Sequence, residues 1–102
     1  MTNWIKVAQV GDVEEDESLA LEVNGTQLAL HFTEGEYFIT DNVCTHQYAL
    51  LSDGYIEDGC VECPLHQAKF DLRTGKVLCD PATVDINTYP VKTEGDDILV
   101  AL

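Results

Sequence analysis

The sequence contains Cys44-Thr45-His46 and, after a gap of sixteen residues, Cys63-Pro64-Leu65-His66. Each motif supplies one thiolate and one imidazole, and such a pair on each of two loops can grip a compact metal site from two sides. Structural zinc sites use the same ligand types, so ligand chemistry alone leaves zinc open. Zinc fingers of this composition place both cysteines in one half and both histidines in the other. Here each half is mixed, which favours a different metal centre.

The mixed pattern resembles that of Rieske centres, in which cysteines hold one iron of a [2Fe–2S] cluster and histidines hold the other. Over essentially its whole length, the chain resembles the Rieske-type ferredoxins of bacterial multicomponent aromatic-ring dioxygenases, such as those for naphthalene and biphenyl. The matching stretches are Trp4 with its strand and residues 40–46, 52–55, 62–71, 74–76 and 88–91. The resemblance implies one [2Fe–2S] cluster, with Cys44 and Cys63 on one iron and His46 and His66 on the other.

The resemblance also implies a function. Such ferredoxins relay single electrons from a flavin-containing NADH reductase to a terminal Rieske non-haem iron oxygenase, and they catalyse no reaction themselves. A mononuclear iron oxygenase site needs two histidines and a carboxylate. Once the cluster takes His46 and His66, only His31 remains, so this chain cannot be the oxygenase. Two alternatives stay open: an electron carrier or small Rieske subunit for another reductase or monooxygenase, and a zinc-stabilised interaction module.

Length and charge limit the other possibilities. The chain has 102 residues, which indicates a single domain over 1–102, and a formal net charge of −14. Nucleic acid and anionic membrane surfaces would repel this charge, whereas a basic protein partner would attract it. The N-terminus lacks a signal-like apolar stretch, and no apolar run approaches the roughly 18 residues of a membrane span. We therefore expect a cytoplasmic protein, without nucleic-acid or membrane partners, that is a monomer.

The sequence pattern predicts an all-β fold. Strands are expected over residues 4–8, 19–23, 26–32, 37–40, 88–92 and 98–102, where apolar and β-branched residues concentrate. Asn24-Gly25 indicates a hairpin with a type I′ turn, residues 94–97 indicate another hairpin, and residues 11–18 are expected to form an acidic surface loop or short turn. Residues from about 41 to 83 hold all four cysteines. We expect them to form a loop-rich cluster-binding subdomain in an antiparallel β framework or sandwich built from both chain ends.

Two departures from respiratory and photosynthetic Rieske subunits follow from the resemblance. Those proteins carry an extra cysteine in each ligand loop, joined as a disulfide, whereas Ala49 (or a neighbour) and Leu65 stand here. They also place a serine and a tyrosine after the second histidine as hydrogen-bond donors near the cluster, whereas Ala68 and Phe70 stand here. Fewer donors stabilise the reduced cluster less. We therefore expect a midpoint potential near the low end of the Rieske range, about −150 mV.

The remaining notable residues have structural interpretations. Cys60 and Cys79 are expected to be small buried residues rather than ligands, and His31 to be a half-buried or exposed structural histidine. Pro64 stiffens the second ligand loop. In resembling proteins a proline-bearing loop covers the third side of the cluster, which here would contain Pro81. Some of the apolar side chains near the ligands, Tyr48, Leu50 and Leu65, would screen the cluster from water.

Overall fold

The computed structural model describes residues 3–43, 49–64, 68–79 and 85–102. Within these ranges the elements are strands and one short 3₁₀ turn, Leu51–Asp53, and no α-helix. The strands are β1 Trp4–Gln9, β2 Glu17–Val23, β3 Thr26–Thr33, β4 Glu36–Asp41, β5 Tyr55–Glu57, β6 Cys60–Glu62, β7 Lys69–Asp71, β8 Val77–Cys79, β9 Thr88–Tyr89, β10 Val91–Glu94 and β11 Asp97–Ala101.

The strands form three antiparallel sheets. A terminal sheet has the order β1-β11-β10, a central sheet β2-β3-β4-β9, and a small sheet β5-β6-β7-β8. The terminal and central sheets, called the framework below, come from both ends of the chain. The small sheet lies within the middle of the sequence. This arrangement confirms the all-β antiparallel fold predicted from the pattern.

Two hydrophobic cores accompany the sheets. The framework core comes from the terminal and central sheets and the loop after β1, and consists of Ala8, Val13, Val23, Leu28, Leu30, Ile39, Ile98 and Val100. The small core belongs to the small sheet and the segments next to it, and consists of Ala49, Leu51, Val61, Cys63, Ala68, Phe70, Leu72 and Ile86. Phe38 of β4 packs against the small core. The central sheet therefore contributes to both cores.

Tight turns fix the hairpins. Asn24 and Gly25 between β2 and β3 both have positive φ, 51° and 82°, as the predicted type I′ turn requires. Asp58 and Gly59 between β5 and β6 show the same pattern, with φ of 53° and 74°. The second turn carries a comparable Asp-Gly signal in the sequence. It marks a hairpin, and with it a sheet, inside the region expected to consist mainly of loops.

The observed strands correct the predicted ones in two places. β2 begins at Glu17, inside the predicted loop 11–18, because Glu17 pairs with Phe32 across the hairpin. The predicted strand 88–92 is divided into β9 and β10 at Pro90. Proline has no backbone N–H to donate to a neighbouring strand, so pairing with β4 stops before it and pairing with β11 begins after it.

Candidate metal centre

Cys63 is the one predicted ligand that lies among the described residues; Cys44, His46 and His66 lie outside them, as do Tyr48, Leu65 and Pro81. Cys63 follows directly after β6 and is wholly buried, with 0% of its surface exposed. Its N–H donates a hydrogen bond to the carbonyl of Ala68 at 2.7 Å, just before β7. The two residues that bound the second ligand loop, Cys63 and Ala68, are therefore joined by a hydrogen bond, and the thiol of Cys63 is buried.

The stem of the first ligand loop is closed by Asn42. Val43 and Leu50 form an antiparallel bridge across the loop, and the N–H of Leu51 donates to the carbonyl of Asn42 at 2.7 Å. The buried Asn42 side chain binds Ser52 twice: its Oδ1 accepts from the Ser52 N–H at 2.8 Å and its Nδ2 donates to the Ser52 Oγ at 3.1 Å. Hydrogen bonds therefore join the described residues on the two sides of the first ligand loop, Asn42 and Val43 before it and Leu50 to Ser52 after it.

Both ligand loops and a third segment start or end in the small core. Ala49 ends the first loop, Cys63 and Ala68 bound the second, and Ile86 follows residues 80–84. Ala68 and Phe70 are wholly buried and bring no hydroxyl to this region. A buried thiol beside an apolar core suits the thiolate-bound side of a [2Fe–2S] cluster, because apolar surroundings exclude water from the metal. The described residues therefore fit the group that the sequence implies.

No other metal centre is evident in the described part of the chain, where no three His, Cys, Asp or Glu side chains come together. Leu50, which was predicted to lie near the ligands, is partly buried.

The residues after 80–84 are anchored to the small sheet. The N–H of Ile86 donates to the carbonyl of Gly75 at 2.8 Å, and the N–H of Val77 donates to Asp85 Oδ1 at 2.9 Å. Gly75 has a φ of +76°, and a Cβ at this position would lie 2.0 Å from the Ile86 carbonyl oxygen. Only glycine allows this close approach without displacing the backbone.

Asp41, the last residue of β4, joins the first loop stem to the same segment. Its Oδ1 accepts a hydrogen bond from Tyr89 Oη at 2.5 Å and its Oδ2 accepts one from Asn87 Nδ2 at 2.9 Å. Its N–H donates to the carbonyl of Asn87 at 3.0 Å. Burial and the hydrogen bond to Asp41 raise the pKa of Tyr89 to about 12, so the hydroxyl keeps its proton and donates at neutral pH.

His31 lies on the face of β3 opposite Leu28 and Leu30 and is wholly buried. This corrects the expectation of a half-buried or exposed histidine, although the structural role holds. The Thr40 hydroxyl donates to the Asp41 carbonyl, so it accepts from His31 Nε2 at 2.9 Å. Nδ1 then accepts from Ser18 Oγ at 2.6 Å. Burial lowers the pKa of His31 to about 4, so the ring is neutral at pH 7.

Cys60 lies on the other face of the small sheet from the small core. Val61 and Cys63 belong to that core, whereas Cys60 is partly exposed, which corrects the expectation of a buried thiol. Partial burial and then the Asp71 carboxylate raise the pKa of Cys60. A four-cysteine site that included Cys60 and Cys63 is therefore disfavoured. The side chain of Cys79 lies outside the described residues.

The acidic residues are unevenly distributed. Residues 49–79 hold three of the five lysines and arginines but only five of the 19 aspartates and glutamates. Many of the others lie near the turn between β3 and β4 and in the loop before β2. There the carboxylate of Glu15 accepts hydrogen bonds from the N–H groups of Glu34 and Gly35. This acidic end of the central sheet lies at the start of β4, whereas the first ligand loop leaves after the end of β4.

In the described part of the chain, no helical segment has the length and apolar character that spanning a membrane requires.

Comparison with known proteins gives a consistent result. The Rieske [2Fe-2S] domain family matches residues 3–90. The ferredoxin component of the naphthalene 1,2-dioxygenase/salicylate 5-hydroxylase systems of a Ralstonia species is 48% identical over 100 residues, which cover 98% of this chain and 96% of the relative.

Solved structures similar in fold include two that come from ferredoxin systems. The ferredoxin of Sphingomonas yanoikuyae B1 has a TM-score of 0.92 at 37% identity, covering 98% of this chain and 99% of that one. A chain of the complex of reduced oxygenase and oxidized ferredoxin in carbazole 1,9a-dioxygenase has a TM-score of 0.90 at 28% identity, covering 96% of this chain and 92% of that one.

Proposed function

The chain belongs to the Rieske [2Fe-2S] domain family, and we propose from this premise that it is the ferredoxin component of a multicomponent aromatic-ring dioxygenase system. The observation that carries the proposal is the 48% identity to such a component over 98% of the chain. The chain holds one [2Fe–2S] cluster and is an electron carrier rather than a catalyst. The same relative, which is named for a dioxygenase and a hydroxylase system, favours this function over that of a carrier for an unrelated reductase.

The proposed ligands are Cys44 and Cys63 for one iron and His46 and His66 for the other. Burial of Cys63 and the closed stems of both ligand loops support this assignment. When bound, the cluster takes up and returns one electron at a time. The residues around Cys63 exclude water from the thiolate side, and the imidazole edges of His46 and His66 form the proposed path for electrons to and from partners.

The partner that receives the electron is a terminal oxygenase, as in the carbazole 1,9a-dioxygenase complex of a structural relative. The donor proposed here is a flavin-containing NADH:ferredoxin reductase. A carrier must dock briefly with both partners and leave each, which suits small and weak interfaces. The net charge of −14 supports electrostatic attraction to basic partner surfaces. Electron-transfer rates that do not change between low and high salt would contradict such attraction.

We further propose that residues 1–102 form one Rieske domain with a cluster-binding subdomain at about 41–83. The small sheet and the small core within that region support this division. A cytoplasmic, monomeric protein stays a prediction. Size-exclusion chromatography with light scattering tests the monomer, and a dimer at micromolar concentration would contradict it.

Two measurements test the function. The purified protein should be brown, and its reduced form should give a paramagnetic resonance signal with an average g-value below that of a four-cysteine cluster. A colourless protein with one zinc ion would overturn the proposal. In an assay that contains a flavin reductase and a terminal oxygenase from a naphthalene-type system, NADH-driven substrate oxidation should require this chain. A His66→Ala variant is the control that should not support turnover.

A further inference from the structure

Asp41 extends the short pairing between β4 and β9 by hydrogen bonds to the segment after residues 80–84. The ladder between β4 and β9 consists of two residue pairs, Ile39 with Tyr89 and Thr40 with Thr88. Pro90 ends β9 directly afterwards. Such a short ladder is weak on its own. The two carboxylate oxygens and the N–H of Asp41 extend it by three hydrogen bonds, to Tyr89 and Asn87.

The segment that Asp41 binds is itself fixed to the small sheet. Ile86 binds the carbonyl of Gly75, and Asp85 accepts from the N–H of Val77. A continuous series of hydrogen bonds therefore runs from the end of β4, through residues 85–89, to the turn and strand that follow β7. It joins the part of the framework from which the first ligand loop leaves to the sheet that carries the second ligand loop.

An ion pair also links the central sheet to the segment after β7, but this link is weaker than the hydrogen bonds of Asp41. Arg73, after β7, binds Glu36 at the start of β4 at 2.9 Å, but the two side chains are 58% and 49% exposed. Exposed ion pairs contribute little because water and salt screen them. Tyr89, in contrast, is half-buried and donates to a charged acceptor, and such hydrogen bonds are stronger than those between neutral groups.

We propose that Asp41, with its partners Asn87 and Tyr89, is a positioning residue for the cluster. The hydrogen bonds among these three residues, called the brace below, hold the first ligand loop in a fixed position relative to the second. The inference rests on the proposed function, because it assigns the ligands to these two loops. In this assignment Asp41 is not itself a ligand of the cluster. It acts by restricting the motion of the residues that precede Cys44. As a result, opening of the first ligand loop and release of the cluster become less frequent.

Tyr89→Phe tests the brace because it removes one hydroxyl and leaves the ring packing intact. Ile98→Val is the matched control: Ile98 is wholly buried in the framework core on β11, and loss of one methylene there destabilises the fold by a similar amount. Tyr55→Phe, at a tyrosine that is 67% exposed, controls for the chemical change. For each cluster-loaded variant, the rate of loss of visible absorbance under an iron chelator is measured well below the melting temperature, together with the melting temperature itself.

Tyr89→Phe should accelerate cluster loss about tenfold, the factor expected for loss of one hydrogen bond to a charged group. Ile98→Val should lower the melting temperature without changing the rate, and Tyr55→Phe should change neither. If Ile98→Val accelerates cluster loss as much as Tyr89→Phe does, the cluster leaves through global unfolding and the inference is wrong. An unchanged rate in Tyr89→Phe would also overturn it. A colourless wild-type protein would instead overturn the proposed function, so the two failures are distinguishable.

Discussion

Acidification should remove the stability that the buried His31 contributes. Burial lowers the pKa of His31 from 6.5 to about 4, so the unfolded chain takes up a proton at a higher pH than the folded protein. The contribution is therefore complete above pH 6.5 and is lost as the pH falls towards 4. Since a tenfold change in proton affinity is worth about 1.4 kcal/mol, the loss is about 2 kcal/mol at pH 5 and about 3 kcal/mol at pH 4.

The assay compares thermal unfolding of the cluster-loaded wild type and His31→Gln at pH 7.5 and pH 5. The glutamine amide can form the hydrogen bonds to Ser18 and Thr40 but does not titrate. The carboxylates titrate in both proteins, so subtracting the variant's fall in melting temperature from that of the wild type removes their contribution. In a chain of this size 1 kcal/mol corresponds to about 4–8 °C, so the wild-type melting temperature should fall roughly 10 °C further than that of the variant. Equal falls would refute the reasoning. If the variant does not fold, a nuclear magnetic resonance titration replaces it, and a His31 midpoint near 6.5 rather than near 4 would be the refuting result.

Three further predictions concern the loops and the cluster. Gly75→Ala should destabilise the protein by about 3 kcal/mol, because the new Cβ meets a backbone oxygen at 2.0 Å and φ is +76°. Cys60→Ala should keep the visible spectrum, whereas Cys63→Ala should abolish it. The midpoint potential should be about −150 mV, because Ala68 and Phe70 offer no side-chain donor to the cluster.

Each of these predictions has a control or a contrary outcome. Gly95 also has positive φ but meets nothing within 4 Å, so Gly95→Ala should cost only about 1 kcal/mol in urea denaturation. Equal losses of stability at the two glycines would show that the close approach of Gly75 to the Ile86 carbonyl is not the cause of the destabilisation. Loss of the spectrum in Cys60→Ala would return this thiol to the list of ligands. A redox titration with a midpoint well above zero would contradict the argument from missing donors.

The framework could be predicted from local patterns because they agree with its long-range contacts. Alternating apolar residues mark β1 to β4, and Asn24-Gly25 has the two positive φ values that a tight hairpin needs. The proposed ligands also follow from the sequence, because paired thiol and imidazole donors at fixed short spacing are chemically distinctive. Cys63, the described member of that set, is buried as a ligand should be.

The small sheet and the brace could not be predicted in the same way. β5 to β8 have three residues each, too few for an alternation to be recognised, and Asp58-Gly59 and Gly75 mark their turns without showing how the strands pair. Asp41 and Tyr89 are far apart in the sequence, and an aspartate at the end of a strand is common. Their significance arises from pairing across the sheet, which a local pattern does not contain.

The separation of charge from the ligand loops affects how the molecule meets a partner. β4 has six residues, which places the acidic end of the central sheet about 20 Å from the stem of the first loop. The carboxylates gathered at that end attract a basic partner surface to a part of the molecule away from the first ligand loop. Encounters at very low ionic strength should consequently be frequent but unproductive. Moderate salt would screen this misdirected attraction, so the rate of productive transfer should pass through a maximum as salt is added.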